Sequence, residues 1–100
     1  MRSKFEVLIT KRAENDVEEI WDYISRDSEV AADKFIAELL DQVIKLETNP
    51  KSFPKIEENE ALGVDCYFHI VYKNYRTVYR VQKDAVYIVR VIHGSRLLSL

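Results

Sequence analysis

The stretch Tyr72–Arg96 (Y-K-N-Y-R-T-V-Y-R-V-Q-K-D-A-V-Y-I-V-R-V-I-H-G-S-R) constrains the fold more than any other part of the chain. It is dense in β-branched and aromatic residues and is interrupted once, by the polar Gln82-Lys83-Asp84. That pattern predicts two strands joined as a β-hairpin. An even loop sets Val81 opposite Val86, and alternation along each strand then assigns the faces. One face is predicted to carry Tyr75, Thr77, Tyr79, Val81, Val86, Ile88, Arg90 and Ile92. The other carries Arg76, Val78, Arg80, Tyr87, Val89, Val91 and His93. The first is the better core. The second sets two arginines, a tyrosine and a histidine among valines, an odd surface unless something binds there. In this register Arg76 faces Val91 and lies diagonal to His93, within reach of long side chains.

The upstream residues supply what such a hairpin needs to bury its apolar face. Phe5–Thr10 (F-E-V-L-I-T) reads as a short strand with Phe5, Val7 and Ile9 on one face. From about Lys11 to Ser25, Ala13, Val17, Ile20, Trp21 and Ile24 recur at steps of three and four, which predicts an amphipathic helix. Thr10 is its expected N-cap, and Glu14, Asp16, Glu18 and Glu19 bring negative charge to the early turns, where the helix dipole favours it. Trp21, at helical spacing, is expected in the core rather than stacked on a ligand. A second helix, capped by Asp27 or Ser28, runs to about Glu47, with a wide apolar stripe through Ala32, Phe35, Leu39, Val43 and Leu46. The join between the helices is short enough to require an antiparallel αα-hairpin.

Thr48-Asn49-Pro50 stops the second helix, because the residue before proline is disfavoured in the α region. Residues 50–63 are predicted to be one long irregular connection, whose Lys51, Lys55, Glu57, Glu58 and Glu60 either serve a site or are simply solvated. Asp65–Val71 then forms a strand, and Lys73-Asn74 turns the chain into the hairpin. The expected architecture is α+β: an N-terminal strand, a helical hairpin, then a three-stranded antiparallel meander, with the helices packed on one face of the sheet.

One hundred residues make a single domain, and 47% apolar with 32% charged residues is the balance of a folded globular chain. No apolar run approaches the roughly 18 residues that span a bilayer, and no signal-peptide core opens the sequence, so the cytoplasm is the expected compartment and no membrane partner is expected. Cys66 is the single cysteine, which excludes an internal disulfide; it is expected to be a small, half-buried strand residue. Only Gly63 and Gly94 are present, too few for a phosphate-cradling glycine loop or a dinucleotide fingerprint. His69 and His93 lie on separate strands without ligand-spaced carboxylates or cysteines, so neither a metal nor another cofactor is expected. The net charge of -2 offers no global attraction to nucleic acid.

The remaining chemistry lies on the second hairpin face. A histidine near neutrality moves protons, and an arginine holds a phosphate in a planar fork. Together they are the parts for RNA cleavage by an adjacent 2′-hydroxyl, given a base, a cation for the developing charge and an acid for the leaving oxygen. The competing reading is that Arg76 and Arg80 are solvated strand charges and His93 packs at a strand end. After His93-Gly94-Ser95-Arg96 come Leu97, Leu98 and Leu100, poor surface that either folds back or meets a partner.

Tyr75-Arg76-x-Val78-Tyr79-Arg80-Val81 followed by Val86-Tyr87-Ile88-Val89-Arg90-Val91-Ile92-His93-Gly94-x-Arg96 resembles the RelE/ParE superfamily of toxins from bacterial type II toxin–antitoxin modules. The run at Ala13, Asp16, Val17, Ile20, Tyr23 and Ile24 is similar to that superfamily's first helix, and Ala31, Ala32, Phe35 and Leu39 to its second. The resemblance spans nearly the whole chain in the right order. It implies growth inhibition, plasmid stabilisation and neutralisation by a cognate antitoxin in a toxin–antitoxin hetero-oligomer, with an antitoxin C-terminal segment against the sheet edge burying Leu97, Leu98 and Leu100.

It also implies one of two mechanisms. RelE-like and YoeB-like members cut messenger RNA on the ribosome; ParE-like members poison DNA gyrase and are not enzymes. For a ribosome-dependent endoribonuclease, Arg76 matches the arginine of this strand and His93 the strand-end histidine, with Glu57, Glu58 or Glu60 as base. Of these Glu58 is the choice, while Arg80, Arg96 and Lys55 would contact target or phosphate. Ribosome-directed members are strongly basic, which this chain is not, and Tyr67 stands where many carry an arginine. The H-G-x-R ending resembles ParE-like and plasmid-stabilisation members, so the resemblance leans to the gyrase-directed branch. A third possibility is a non-toxic homologue that only binds an antitoxin.

Overall fold

The computed structural model describes residues 4–98. Strand β1 (Glu6–Ile9) leads into helix α1 (Lys11–Ser25), then α2 (Glu29–Ile44) and two 3-10 turns at Lys45–Glu47 and Pro50–Ser52. A short helix α3 (Glu58–Leu62) precedes strands β2 (Tyr67–Tyr72), β3 (Tyr75–Gln82) and β4 (Ala85–His93). The four strands lie in the order β1-β4-β3-β2, with β1 parallel to β4 and the remaining pairs antiparallel. The α+β architecture is as the sequence predicts, and the meander is extended to a mixed sheet by β1.

Local chemistry fixes the helix starts. The Thr10 side chain accepts from the Ala13 N–H at 3.2 Å, and Ser28 accepts from Ala31 at 3.1 Å, each satisfying one of the donors that a helix N-terminus leaves unpaired. The apolar stripes of α1 and α2 then cover one sheet face: Ala13, Ile20, Leu39, Val43 and Leu46 pack on Phe68, Ile70, Tyr79, Val86, Ile88 and Val91. Trp21 is only half-buried, and its indole N–H donates to Asp33 at 2.8 Å, tying the two helices together. Ile9, expected on one face with Phe5 and Val7, is 43% exposed at the end of β1, the edge strand of the sheet.

The β3–β4 register begins as predicted, with Val81 opposite Val86, and then shifts. Val78 pairs with Arg90 and Tyr79 with Ile88, so Val89 is an extra, bulged residue. Beyond it the alternation inverts. Arg76 pairs with Ile92 rather than Val91, Val91 joins the helix-side core, and His93 pairs with Tyr75. The bulge lies where β1 gives way to α1: Thr10 donates from its N–H (3.1 Å) and its hydroxyl (2.8 Å) to the Ile88 carbonyl. The open edge of β4 is then capped by Asp16 of α1. Its carboxylate accepts from the Val91 N–H (2.9 Å) and from Arg90 Nε (2.8 Å) and Nη2 (3.1 Å).

The opposite sheet face, expected to be uncovered, carries a small core of its own. Residues 50–63 are not one irregular loop: residues 54–56 run along the outer edge of β2, with Ile56 N–H donating to the Tyr67 carbonyl and His69 N–H to the Pro54 carbonyl, both at 3.1 Å. Ile56, Val78 and Leu98 are buried together there, with Tyr67 and Val89 against them. The buried Asn59 of α3 clasps the Tyr67 backbone, donating to its carbonyl (3.0 Å) and accepting from its N–H (3.3 Å). Cys66 precedes β2 and is exposed, not half-buried as expected, because pairing starts one residue later. Among the described residues no helix is long and apolar enough to cross a membrane.

Candidate functional site

The second sheet face brings Arg76 of β3, Glu58 of α3 and His69 of β2 together beside the C-terminal segment. Alternation places Arg76 on the same side as Val78, and the Ile56–Leu98 cover buries it to 6% exposure. Its guanidinium grips Glu58 with two nitrogens: Nη1 donates to Oε1 at 3.2 Å and Nη2 to Oε2. Nη2 also donates to the Arg96 carbonyl at 2.7 Å, while Nη1 lies 3.3 Å from His69 Nδ1. Buried Arg76 Nε has no partner. Glu58 Oε2 accepts a further bond from the Leu98 N–H at 2.9 Å.

These contacts set the electrostatics. The hydrogen bond from Arg76 draws the Glu58 carboxyl from its ordinary 4.5 to about 2, against the opposing effect of burial. Burial foremost, and then the positive charge of Arg76, lowers the His69 pKa, so the ring is neutral near pH 7. Because an arginine can only donate, Nδ1 of His69 is the acceptor and the ring proton sits on Nε2. A groove of about 490 Å³ adjoins the cluster, lined by Lys55, Glu57, His69, Val71, Arg96 and Leu97 as well as the ion pair. Chemically this is a closed ion pair, with Arg76 Nε left over. The carboxylate already accepts three hydrogen bonds and is far too weak a base for neutral pH, and the arginine's charge is already neutralised.

The other candidate residues are spread out. His93 is on the helix side, edge-on to Tyr75 at 5.6 Å between ring centres, in a groove with Tyr23, Phe35 and Lys73. Its Nδ1 accepts from the Ser95 N–H at 3.2 Å and lies 2.7 Å from the Ser95 hydroxyl. The shared face expected for Arg76 and His93, diagonal to each other, is therefore overturned by the Val89 bulge, which sends them to opposite faces; the histidine beside Arg76 is His69. Arg80 shares the face of Arg76 but stacks over Tyr87 (4.4 Å) and donates to Gln82. Lys55 pairs with Asp65 at 2.7 Å. Glu57 and Glu60 are exposed. The Arg96 side chain is exposed, Leu97 is 81% exposed, and Leu98 is buried in the second core; Leu100 lies outside the described residues. Among the described residues no three His, Cys, Asp or Glu side chains gather as a metal site requires.

The role of His69 is missed by sequence reasoning because its partner depends on the register. Asp16 carried a usable signal: it interrupts the apolar stripe between Ala13, Val17 and Ile20, so a partner had to be waiting inside.

This arrangement of a helical hairpin on a mixed four-stranded sheet is that of known toxin–antitoxin proteins. The chain matches one from the chromosomal ParDE TA system of P. aeruginosa, with a TM-score of 0.76 and 17% identity over 90% of this chain and 96% of that one. It matches another from the toxin–antitoxin complex RelBE2 of Mycobacterium tuberculosis, with a TM-score of 0.64 and 20% identity over 96% and 98%. At such identities these likenesses define the fold. No curated protein sequence matches the chain. The profile of the family described as "ParE toxin of type II toxin-antitoxin system, parDE" matches residues 7–98, nearly the whole chain. The chain belongs to this ParE toxin family, within the RelE/ParE superfamily.

Proposed function

We propose that this toxin arrests growth in the cytoplasm by binding and inhibiting DNA gyrase, without catalysis, and that a cognate antitoxin neutralises it in a hetero-oligomer. The observation that carries this reading is the closure of Arg76 on Glu58. The groups that RNA cleavage would need free are bonded to each other and to the chain's own C-terminal backbone. His93, the intended proton donor, is on the opposite face. Membership of the ParE family, which the sequence resemblance associates with gyrase, supports that target. The net charge of -2 is consistent with a protein target rather than a polyanion. The antitoxin part of the reading is supported by the two toxin–antitoxin relatives.

Titration of purified gyrase with the purified toxin in a supercoiling assay tests the target. Inhibition near stoichiometric toxin, relieved by antitoxin, is expected. Full supercoiling at a large excess of toxin would rule gyrase out.

A further inference from the structure

The backbone on both sides of Leu97 is held by one ion pair. The Arg96 carbonyl accepts from Arg76 Nη2 at 2.7 Å, and the Leu98 N–H donates to Glu58 Oε2 at 2.9 Å. The Leu98 side chain is anchored in the second core with Ile56 and Val78. Between these anchors Leu97 is 81% exposed, beside Val71, which is 63% exposed on the edge strand and lines the same groove. A leucine left in water on an otherwise fastened segment is held there by the fastening, not by any packing of its own.

The geometry points to Glu58 and Arg76 as positioning residues for recognition: they hold the C-terminal segment so that Leu97, with Val71, is a preformed apolar contact for the antitoxin. This inference rests on the antitoxin reading above. The occupant is an extended antitoxin segment with an apolar side chain for Leu97 and Val71 and a carboxylate for Arg96. The Arg96 guanidinium has no carboxylate partner among the described residues, although it stands next to the exposed leucine. The physical advantage is preorganisation. A segment ordered before the encounter loses little conformational freedom on binding, whereas a loose one loses backbone and side-chain entropy at that moment. The buried arginine thus acts on recognition through Leu97, without touching the partner.

The test uses the full chain and, as probe, the small protein encoded beside its gene. Affinity is measured for the wild type, Glu58→Gln, Leu97→Ala and the double variant, with amide exchange at Leu98 and Tyr79 followed in the free toxin. Glu58→Gln and Leu97→Ala are each expected to weaken binding on the order of tenfold, and the double variant by clearly less than the two losses combined, since the clamp acts chiefly through Leu97. In Glu58→Gln the Leu98 amide should exchange much faster while the core amide of Tyr79 is unchanged, which a general loss of stability would not produce. If Glu58→Gln does not fold, Arg76→Lys, which keeps the charge but loses the fork, carries the same measurements. Unchanged Leu98 exchange, or losses that add in full, would overturn the positioning role while leaving the antitoxin reading intact. A wild-type toxin that does not bind the neighbouring protein would instead overturn the antitoxin reading, and the recognition role with it.

Discussion

Asp16 sits where the periodicity of α1 calls for an apolar side chain, and its carboxylate is spent on the backbone and guanidinium at the bare edge of β4. Replacing it with alanine removes the carboxylate that pairs with the buried Arg90 guanidinium and frees the Val91 N–H. Breaking a buried pair by removing one partner costs about 3–5 kcal/mol, and Asp16→Ala should lose that much in urea unfolding. Glu58 makes a pH prediction. Its folded pKa, about 2, lies below its ordinary 4.5, so its contribution is complete above 4.5 and is lost as pH falls through about 2. Glu58→Gln should flatten the stability profile in that window. His69 acts in the same direction at higher pH. Its folded pKa is below the ordinary 6.5, the unfolded chain takes up the proton first, and stability should fall as pH drops through 6.5. Denaturant titrations at pH 7.5 and 5.5 check this: His69→Gln should narrow the difference.

At the scale of elements, α1 was legible to its last residue, because a threonine cap and a regular stripe leave little choice. The helix-side core was legible as far as the bulge. Alternation cannot reveal an inserted residue when both neighbours suit a strand, as Val89, Arg90 and Val91 do, and one unseen bulge exchanged the places of Val91, Ile92 and His93. The connection from α2 to β2 was opaque for a different reason. It is held by single polar contacts rather than by a periodic stripe, such as the buried Tyr79 hydroxyl donating to the Pro50 carbonyl. Tyr79→Phe leaves that carbonyl unsatisfied at the foot of the connection and should cost about 1–3 kcal/mol, read from thermal or urea unfolding. Amides of residues 50–56 should exchange faster in that variant than those of α1.

For the whole molecule, four short motifs in the right order carried the resemblance to the family, and strand, helical hairpin and meander are local patterns, each readable from its own residues. The candidate site was only half legible. Arg76 and Glu58 were singled out, yet their bond, and the burial that turns two reactive-looking groups into a clamp, arise from contacts between elements far apart in the chain. As proposed, this toxin works by binding a target, without catalysis. The fate of ribosome-bound message incubated with the purified toxin tests it most directly. The message is expected to stay intact at toxin concentrations that halt gyrase. Cutting at the ribosomal A site, lost in a folded Arg76→Lys variant, would contradict that claim and return Arg76 to a catalytic role.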